Sequence, residues 1–410
     1  MATTPDYNQD SPPTLLAAGT LQGKAVGINP SSIRPCDGRP IFIASLSSGA
    51  ALERLRGGSF GVVAVKSTAD DASRVPRNPR REAQLLAKLD HPDTLSLLNA
   101  YQSDPSPTSF STRITLFTPF YPHTLRTLLF SPSFSLDGER DAFCIVSQSL
   151  AFQLVSAVDY IHAHGVAHRD LNPNNVVISD GGRAVIIDFG IAIEREDEPT
   201  GEMHHAVGTG SYRAPELVFA SRDYDPFALD LWALGATLSE FFTALELPVP
   251  PSPDSEDEFE RYYRQCATPP PEPTLQRKTL FDGGASDFLL AASIFRVLGT
   301  PTSETWPESA SLPNFARFTF APFPPTPLAS HLPHLEQSLA LARVLAGMLV
   351  ISASGRMPAR TALEELKTDG PVVSPDDFDS EERRQFGGDE LAEIRAGTLG
   401  KTLAAVLQAQ

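Results

Sequence analysis

Two short apolar runs, Val176–Ile178 and Ala184–Ile187, stand on either side of Asp180-Gly-Gly, and they restrict this chain more than any other feature. Apolar runs of that length joined by a tight polar turn fold as a β-hairpin. A hairpin gathers whatever stands beside its two outer ends. Before the first run comes His168-Arg-Asp-Leu-Asn-Pro-Asn-Asn175, and after the second comes Asp188-Phe-Gly190. Asp170, Asn175 and Asp188 are therefore expected to project into one cleft. A carboxylate able to take a proton from a hydroxyl, beside oxygen donors suited to magnesium, is the set that phosphoryl transfer needs.

The hydrophobic pattern changes once along the chain, near Pro122. Before it, strand-like runs occur at Ile41–Leu46, Leu52–Leu55 and Val62–Lys66, connected by Ser47–Ala50 and by RGGSFG at Arg56–Gly61. A helix follows, with Pro79 at its start and Leu85, Leu86 and Leu89 on one face, stopped before Pro92. Further strands are predicted at Ser96–Gln102 and Arg113–Thr118. After Pro122 the spacing is helical: Ile145, Leu150, Leu154, Val158 and Ile161 form one apolar stripe. More helices are predicted at Leu229–Phe242, Asp287–Leu298 and Leu335–Val350. The fold class is α+β, with a small β-rich lobe over 41–121 carrying one helix and a larger helical lobe over 122–368. A Pro-rich acidic insert occupies about 248–274. Residues 1–40 read as a disordered extension, and 369–410 as an acidic tail ending in a helix-prone stretch, either a docking helix or a frayed end.

The chain's 410 residues exceed what one core usually organises, which favours two lobes. Its net charge of −17 argues against a nucleic-acid or anionic-membrane partner, because neutralising phosphates takes clustered Lys and Arg. Three scattered cysteines without a CxxC pair exclude a disulfide scaffold or a zinc knuckle. No apolar run is read as long enough to span a bilayer, and no targeting segment is read at the N-terminus. A soluble intracellular monomer is expected, in the nucleus or the cytoplasm.

The two motifs, followed by Ala214-Pro-Glu216 and preceded by the strand lysine of Val-Val-Ala-Val-Lys66, resemble the eukaryotic protein kinases in content and order. The resemblance covers about residues 40–367 and implies the bilobal kinase fold, with ATP and Mg2+ as cofactors. It makes Asp170 the catalytic base and Asn175 and Asp188 the metal ligands. Lys66 would pair with the α- and β-phosphates and be held by Glu82. Thr118, Phe120 and Tyr121 would face adenine, with Pro119 in the same hinge. His168, Asp230, Glu216 and Arg356 resemble the family's scaffold positions. Thr209 resembles the residue that orients the base in serine/threonine-directed members.

Two positions depart from the pattern. RGGSFG stands too close to Lys66 to be the phosphate-covering loop, so Ser47–Ala50 with Gly49 takes that role, and Arg56–Gly61 reads as the next turn. Asn172 replaces a lysine that neutralises phosphate in related kinases. An amide offers hydrogen bonds without charge.

FRVLGTPTSETWPE at Phe295–Glu308, HPDTLSLLNAY at His91–Tyr101 and Arg213 resemble the cyclin-dependent and mitogen-activated group. Pro76-Arg-Asn-Pro-Arg-Arg-Glu82 would put unpaired arginine charge on a buried cyclin-docking face, so cyclin is not expected as a partner. His204 occupies the usual activating phosphorylation position, and Thr200 lies four residues too early. Acidic residues crowd the segment, either replacing a phosphate near Arg169 or forming a solvated loop. Together these features resemble the single-subunit cyclin-dependent-kinase-activating kinases of fungi, whose protein substrate is another cyclin-dependent kinase. The alternatives are a proline-directed kinase with an unknown activator and a catalytically weak kinase-fold scaffold.

Overall fold

The computed structural model describes residues 34–35, 42–45, 62–103, 112–134, 140–195, 197, 202–246, 276–284, 286–368, 372–376 and 399–408. Gly49, Leu52–Leu55, Arg56–Gly61, Thr200 and the acidic insert, all singled out in the sequence, lie outside the described residues.

Five antiparallel strands form the first lobe, in the order β1, β2, β3, β5, β4. They are β1 (Arg34–Pro35), β2 (Phe42–Ser45), β3 (Val62–Ala69), β4 (Asn99–Ser103) and β5 (Arg113–Pro119). Arg34 and Pro35 pair with Ile43 and Phe42, so the sheet begins ahead of the boundary expected at residue 41. β3 and β5 pair over seven residues, from Val63 opposite Pro119 to Ala69 opposite Arg113. Val63 and Val65, both β-branched, are fully buried in this pairing.

Against the sheet lies α1 (Pro79–Lys88), which starts where the sequence provides a cap. The Asn78 side chain accepts a hydrogen bond from the Arg81 backbone N–H, and Pro79 occupies the first turn, where its missing N–H costs nothing. The helix buries Glu82, Ala83, Leu85 and Leu86 on one face.

After β6 (His123–Thr124) and α2 (Leu125–Leu129), the second lobe is built around α3 (Arg140–Ala163), which β7 (Val166–Ala167) follows. Val146, Leu150, Leu154, Val155, Val158 and Ile161 are all buried. This helix corrects the sequence reading on membrane spans. Phe143–Ala163 is long and apolar enough to cross a bilayer, with mean hydropathy 1.3 over an 18-residue stretch, yet 67% of that stretch is buried inside the lobe. The hairpin of β8 (Val176–Ile178) and β9 (Ala184–Ile186) packs against it. Further helices are α4 (Pro215–Val218), α5 (Pro226–Ser239), α6 (Asp287–Leu298), α7 (Leu339–Met348) and α8 (Ala359–Leu366). The helix expected over 335–350 opens instead as a separate 3-10 turn at Leu335–Gln337.

The C-terminal segment docks on this lobe. Residues 372–376 and the helix α9 (Leu399–Gln408) pack behind the hairpin, with Leu399 and Leu403 buried. Asp376 donates its backbone N–H to Gly181 O and accepts one from the Gly400 backbone N–H. Gly182 has φ +89, and a Cβ there would stand 2.6 Å from Leu399 Cγ, so glycine is required by both backbone and space.

Two buried arginines tie chain segments together. Arg277 donates to the carbonyls of Leu129, Phe134, Phe241 and Thr243. Arg356 makes a two-pronged pair with Glu216 at 2.7 Å for each contact, and its guanidinium lies 5.1 Å from the Trp232 ring. Breaking such a pair leaves a buried charge without compensation, so Arg356→Ala is expected to lower unfolding free energy by about 3–5 kcal/mol in urea titrations.

Candidate active site

A cleft of about 660 Å3 lies between the sheet and the helical lobe. Its walls include Ala64, Lys66 and Glu82 above, Thr118–Tyr121 at the back, and Asn175, Val177, Ile187 and Asp188 below. The positions expected to face adenine, Thr118, Phe120 and Tyr121, all line it. Gly49, expected to cover phosphates, lies outside the described residues.

The floor owes its shape to Asp230 on α5. This fully buried carboxylate accepts the backbone N–H of His168 and of Arg169, each at 2.7 Å, and also contacts His162 Nε2 at 3.0 Å. Two charge-assisted hydrogen bonds hold Arg169 at φ +66, a left-handed conformation that a non-glycine residue adopts at a cost. His168 fixes the next step. Its Nε2 lies 2.9 Å from Ile187 O, and its Nδ1 accepts the Asp170 backbone N–H at 3.2 Å. Those two bonds select the neutral imidazole with the proton on Nε2. The catalytic-loop motif and the end of the hairpin are thereby bound into one unit.

Asp170 stands at the centre of the floor. Its Oδ1 accepts from Thr209 Oγ1 at 2.6 Å and from Asn172 Nδ2 at 3.2 Å, and its Oδ2 accepts from Asn175 Nδ2 at 3.0 Å. Burial raises the Asp170 pKa above the usual carboxylate value, against the hydrogen bonds from Thr209 and Asn175. The nearby charge of Asp188 adds to the rise. A carboxylate so placed is a proton acceptor with more basicity than a solvated aspartate.

Lys66 reaches down from β3 to meet both Glu82 Oε1 and Asp188 Oδ1 at 2.7 Å. Burial alone would lower its pKa, but the two carboxylates outweigh burial and hold it above the ordinary lysine value. Glu82 is raised by burial, partly offset by Lys66. Asp188 shows the opposite outcome: burial pushes its pKa up, yet Lys66 and Arg77 hold it far below the carboxylate range. Asp188 sits at φ 62 and ψ 66, and its side chain accepts the Gly190 backbone N–H at 3.3 Å.

Asn175 and Asp188 fit a hard divalent cation. The amide nitrogen of Asn175 is committed to Asp170, which leaves its carbonyl oxygen to offer alongside the Asp188 carboxylate. Among the described residues, no group of three His, Cys, Asp or Glu side chains could hold a metal by itself. Nucleotide oxygens and water would complete the shell, as Mg2+ commonly requires.

Arg77 is the site residue that sequence reasoning missed. It had been counted among arginines expected to crowd a docking face with unpaired charge. Instead each of the three is paired within the chain. Arg77 grips Asp188 through Nη1 and Nη2 at 3.0 and 3.2 Å. Arg80 pairs with Asp70, and Arg81 with Asp197 at 3.1 Å. Two acidic residues of the activation segment turn toward α1, Asp197 to Arg81 and Glu194 to Lys88 at 2.8 Å. Contacts of Arg169 include Ile191 O and the Tyr224 hydroxyl, which itself donates to His204 O.

The family model for the protein kinase domain matches residues 47–364. The chain belongs to the protein kinase family. Its relatives place it among serine/threonine kinases of the cyclin-dependent type. It is 30% identical over 293 residues to cyclin-dependent kinase 7 of Carassius auratus, covering 71% of this chain and 69% of that protein. It is also 30% identical over 216 residues to the serine/threonine-protein kinase csk1 of Schizosaccharomyces pombe, covering 50% and 60%. A solved structure titled as the yeast RNA Pol II CTD kinase CTDK-1 complex matches with TM-score 0.60 over 88% of this chain and 99% of its own, at 19% identity. That last likeness concerns the fold. ATP with Mg2+ is what the kinase domain implies, and a protein is its substrate.

The raised Asp170 pKa sets a direction for pH dependence. The proton-accepting form is lost as pH falls through that raised value, so the acid limb of kcat/KM should lie above that of an ordinary carboxylate. Thr209→Val removes a hydrogen bond that lowers the Asp170 pKa, and the acid limb should move further upward. An unmoved limb in that variant would assign it to another group.

Proposed function

We propose that this kinase transfers the γ-phosphoryl of ATP to threonine in the activation segments of other cyclin-dependent kinases, and that it does so without cyclin and without activating phosphorylation. The observation that carries this reading is the position of α1, which contacts within this single chain hold against the cleft. Lys66–Glu82 is closed, Arg81–Asp197 and Lys88–Glu194 join α1 to the activation segment, and the Asn78 backbone N–H donates to Gly190 O at 2.8 Å. An activating partner supplies differential contacts to one of two states. Here those contacts come from the chain's own residues.

Within this reading Asp170 receives the proton of the attacking hydroxyl, oriented by Thr209. Asn175 and Asp188 hold the metal, and Lys66, fixed by Glu82, meets the α- and β-phosphates. Thr118, Phe120 and Tyr121 seat adenine, and Gly49 covers the phosphates. ATP supplies the phosphoryl group, and Mg2+ spreads its charge. The protein acts as a monomer in the nucleus or cytoplasm, with neither nucleic acid nor membrane as partner. Similarity to cyclin-dependent kinase 7 and csk1 supports the group, while the cyclin-dependent name of the former keeps a proline-directed, partner-activated kinase as the second reading.

The test is incubation of the full chain with MgATP and an unphosphorylated cyclin-dependent kinase, without cyclin. Phosphothreonine should appear in the partner's activation segment, persist in Thr200→Ala, and fall by about 10²-fold or more in Asp170→Asn. Transfer confined to Ser/Thr-Pro peptides, or dependent on added cyclin, supports the second reading. No transfer to any substrate leaves a kinase-fold scaffold.

A further inference from the structure

Among the described residues, the phosphate end of the cleft is short of positive charge. Lys66 and Arg77, two cations, face the three carboxylates of Glu82, Asp170 and Asp188, and Lys66 is already engaged by two of them. Two residues beyond Asp170 stands Asn172, whose amide hydrogen-bonds Asp170 and adds no charge. A triphosphate entering such a cleft, and the charge that spreads over the transferred phosphoryl, call for a further cation.

Arg77 is placed to provide it. The guanidinium spans both oxygens of Asp188 and leans on Gly190, where a Cβ would stand 2.4 Å from Arg77 Nη1. Asp170 lies within its electrostatic reach. The side chain is about one third exposed, so it has room to move. A metal ion held by Asp188 needs at least one of the oxygens that Arg77 now occupies. Loading the cleft therefore releases guanidinium N–H groups beside the incoming phosphates. A role limited to fastening α1 would be redundant, because the Asn78 backbone bond, Lys66–Glu82, Arg81–Asp197 and Lys88–Glu194 already fasten it.

We propose that Arg77 is a catalytic residue: paired with Asp188 within the chain, it transfers to the terminal phosphate of bound nucleotide and supplies from the entry of α1 the positive charge that Asn172 does not. A forked, always-charged donor suits phosphate better than a single ammonium. The proposal rests on the phosphotransfer reading of the cleft.

Calorimetry with Mg-ADP and with Mg-AMP-PNP, a non-hydrolysable triphosphate, separates the two phosphate positions. Arg77→Ala should bind Mg-ADP within about threefold of the unaltered chain while losing at least tenfold in Mg-AMP-PNP affinity, and its kcat should fall by about 10²-fold. Adding Asn172→Lys to Arg77→Ala restores a cation beside Asp170 and should recover at least tenfold in kcat and the preference for triphosphate. Arg77→Lys, keeping charge without the fork, should fall between. Equal losses for ADP and AMP-PNP, no loss for either, or a defect that Asn172→Lys does not relieve would overturn the proposal in favour of a fastening role. An unchanged triphosphate preference in Arg77→Ala beside a dead Asp170→Asn would reject this inference alone. Full activity in Asp170→Asn would reject the reading beneath it.

Discussion

The carboxylate of Asp188 is where the small lobe and the helical lobe are held to each other. It lies at the end of the hairpin, in a left-handed backbone conformation, and two cations from the small lobe converge on it. Opposite charges at such distances in a buried setting interact strongly, and the depressed Asp188 pKa measures that attraction. The cost of withdrawing these groups from water is met only because each has a close partner. Removing any one of them strands the others. The competence of the metal site depends on this one cluster, while α1 is held inward by Lys66–Glu82, Arg81–Asp197 and Lys88–Glu194 as well.

Beneath it the construction is more rigid. Asp230 fixes two successive backbone N–H groups, and His168 passes that order to Asp170 on one side and Ile187 on the other. None of these contacts involves a mobile surface side chain. A proton acceptor so supported needs little reorganisation when charge shifts, which is how a preorganised site lowers a barrier. The activation segment is secured by another route, through Lys88, Arg81 and Tyr224.

The hairpin, α1 with Pro79 at its start, the stripe of α3 and the helix at Asp287–Leu298 were all legible, because each is written in local periodicity or in a helix-starting proline. The cleft residues were legible for a different reason: motifs at the two ends of one hairpin must meet. Strand limits moved by a few residues, since pairing partners rather than propensity decide where a strand stops. Arg77 was not legible. It precedes a helix, and nothing local states where a long, flexible guanidinium will land or that Gly190 leaves a space for it. The same holds for Glu194 and Asp197, whose partners on α1 come from far away in the sequence. The sequence left α9 open between a docking helix and a frayed end because Leu399 packs against a turn, and a turn glycine carries no mark of its neighbour.

That turn has an evolutionary consequence. With Leu399 lodged where a Cβ on residue 182 would need to be, the two positions cannot drift independently. A larger side chain at one demands a smaller one at the other, and φ +89 narrows the choice at the first almost to glycine. The chain's final helix and the bend behind its catalytic loop are thus bound to a shared history, each acting as a ratchet on substitutions in the other.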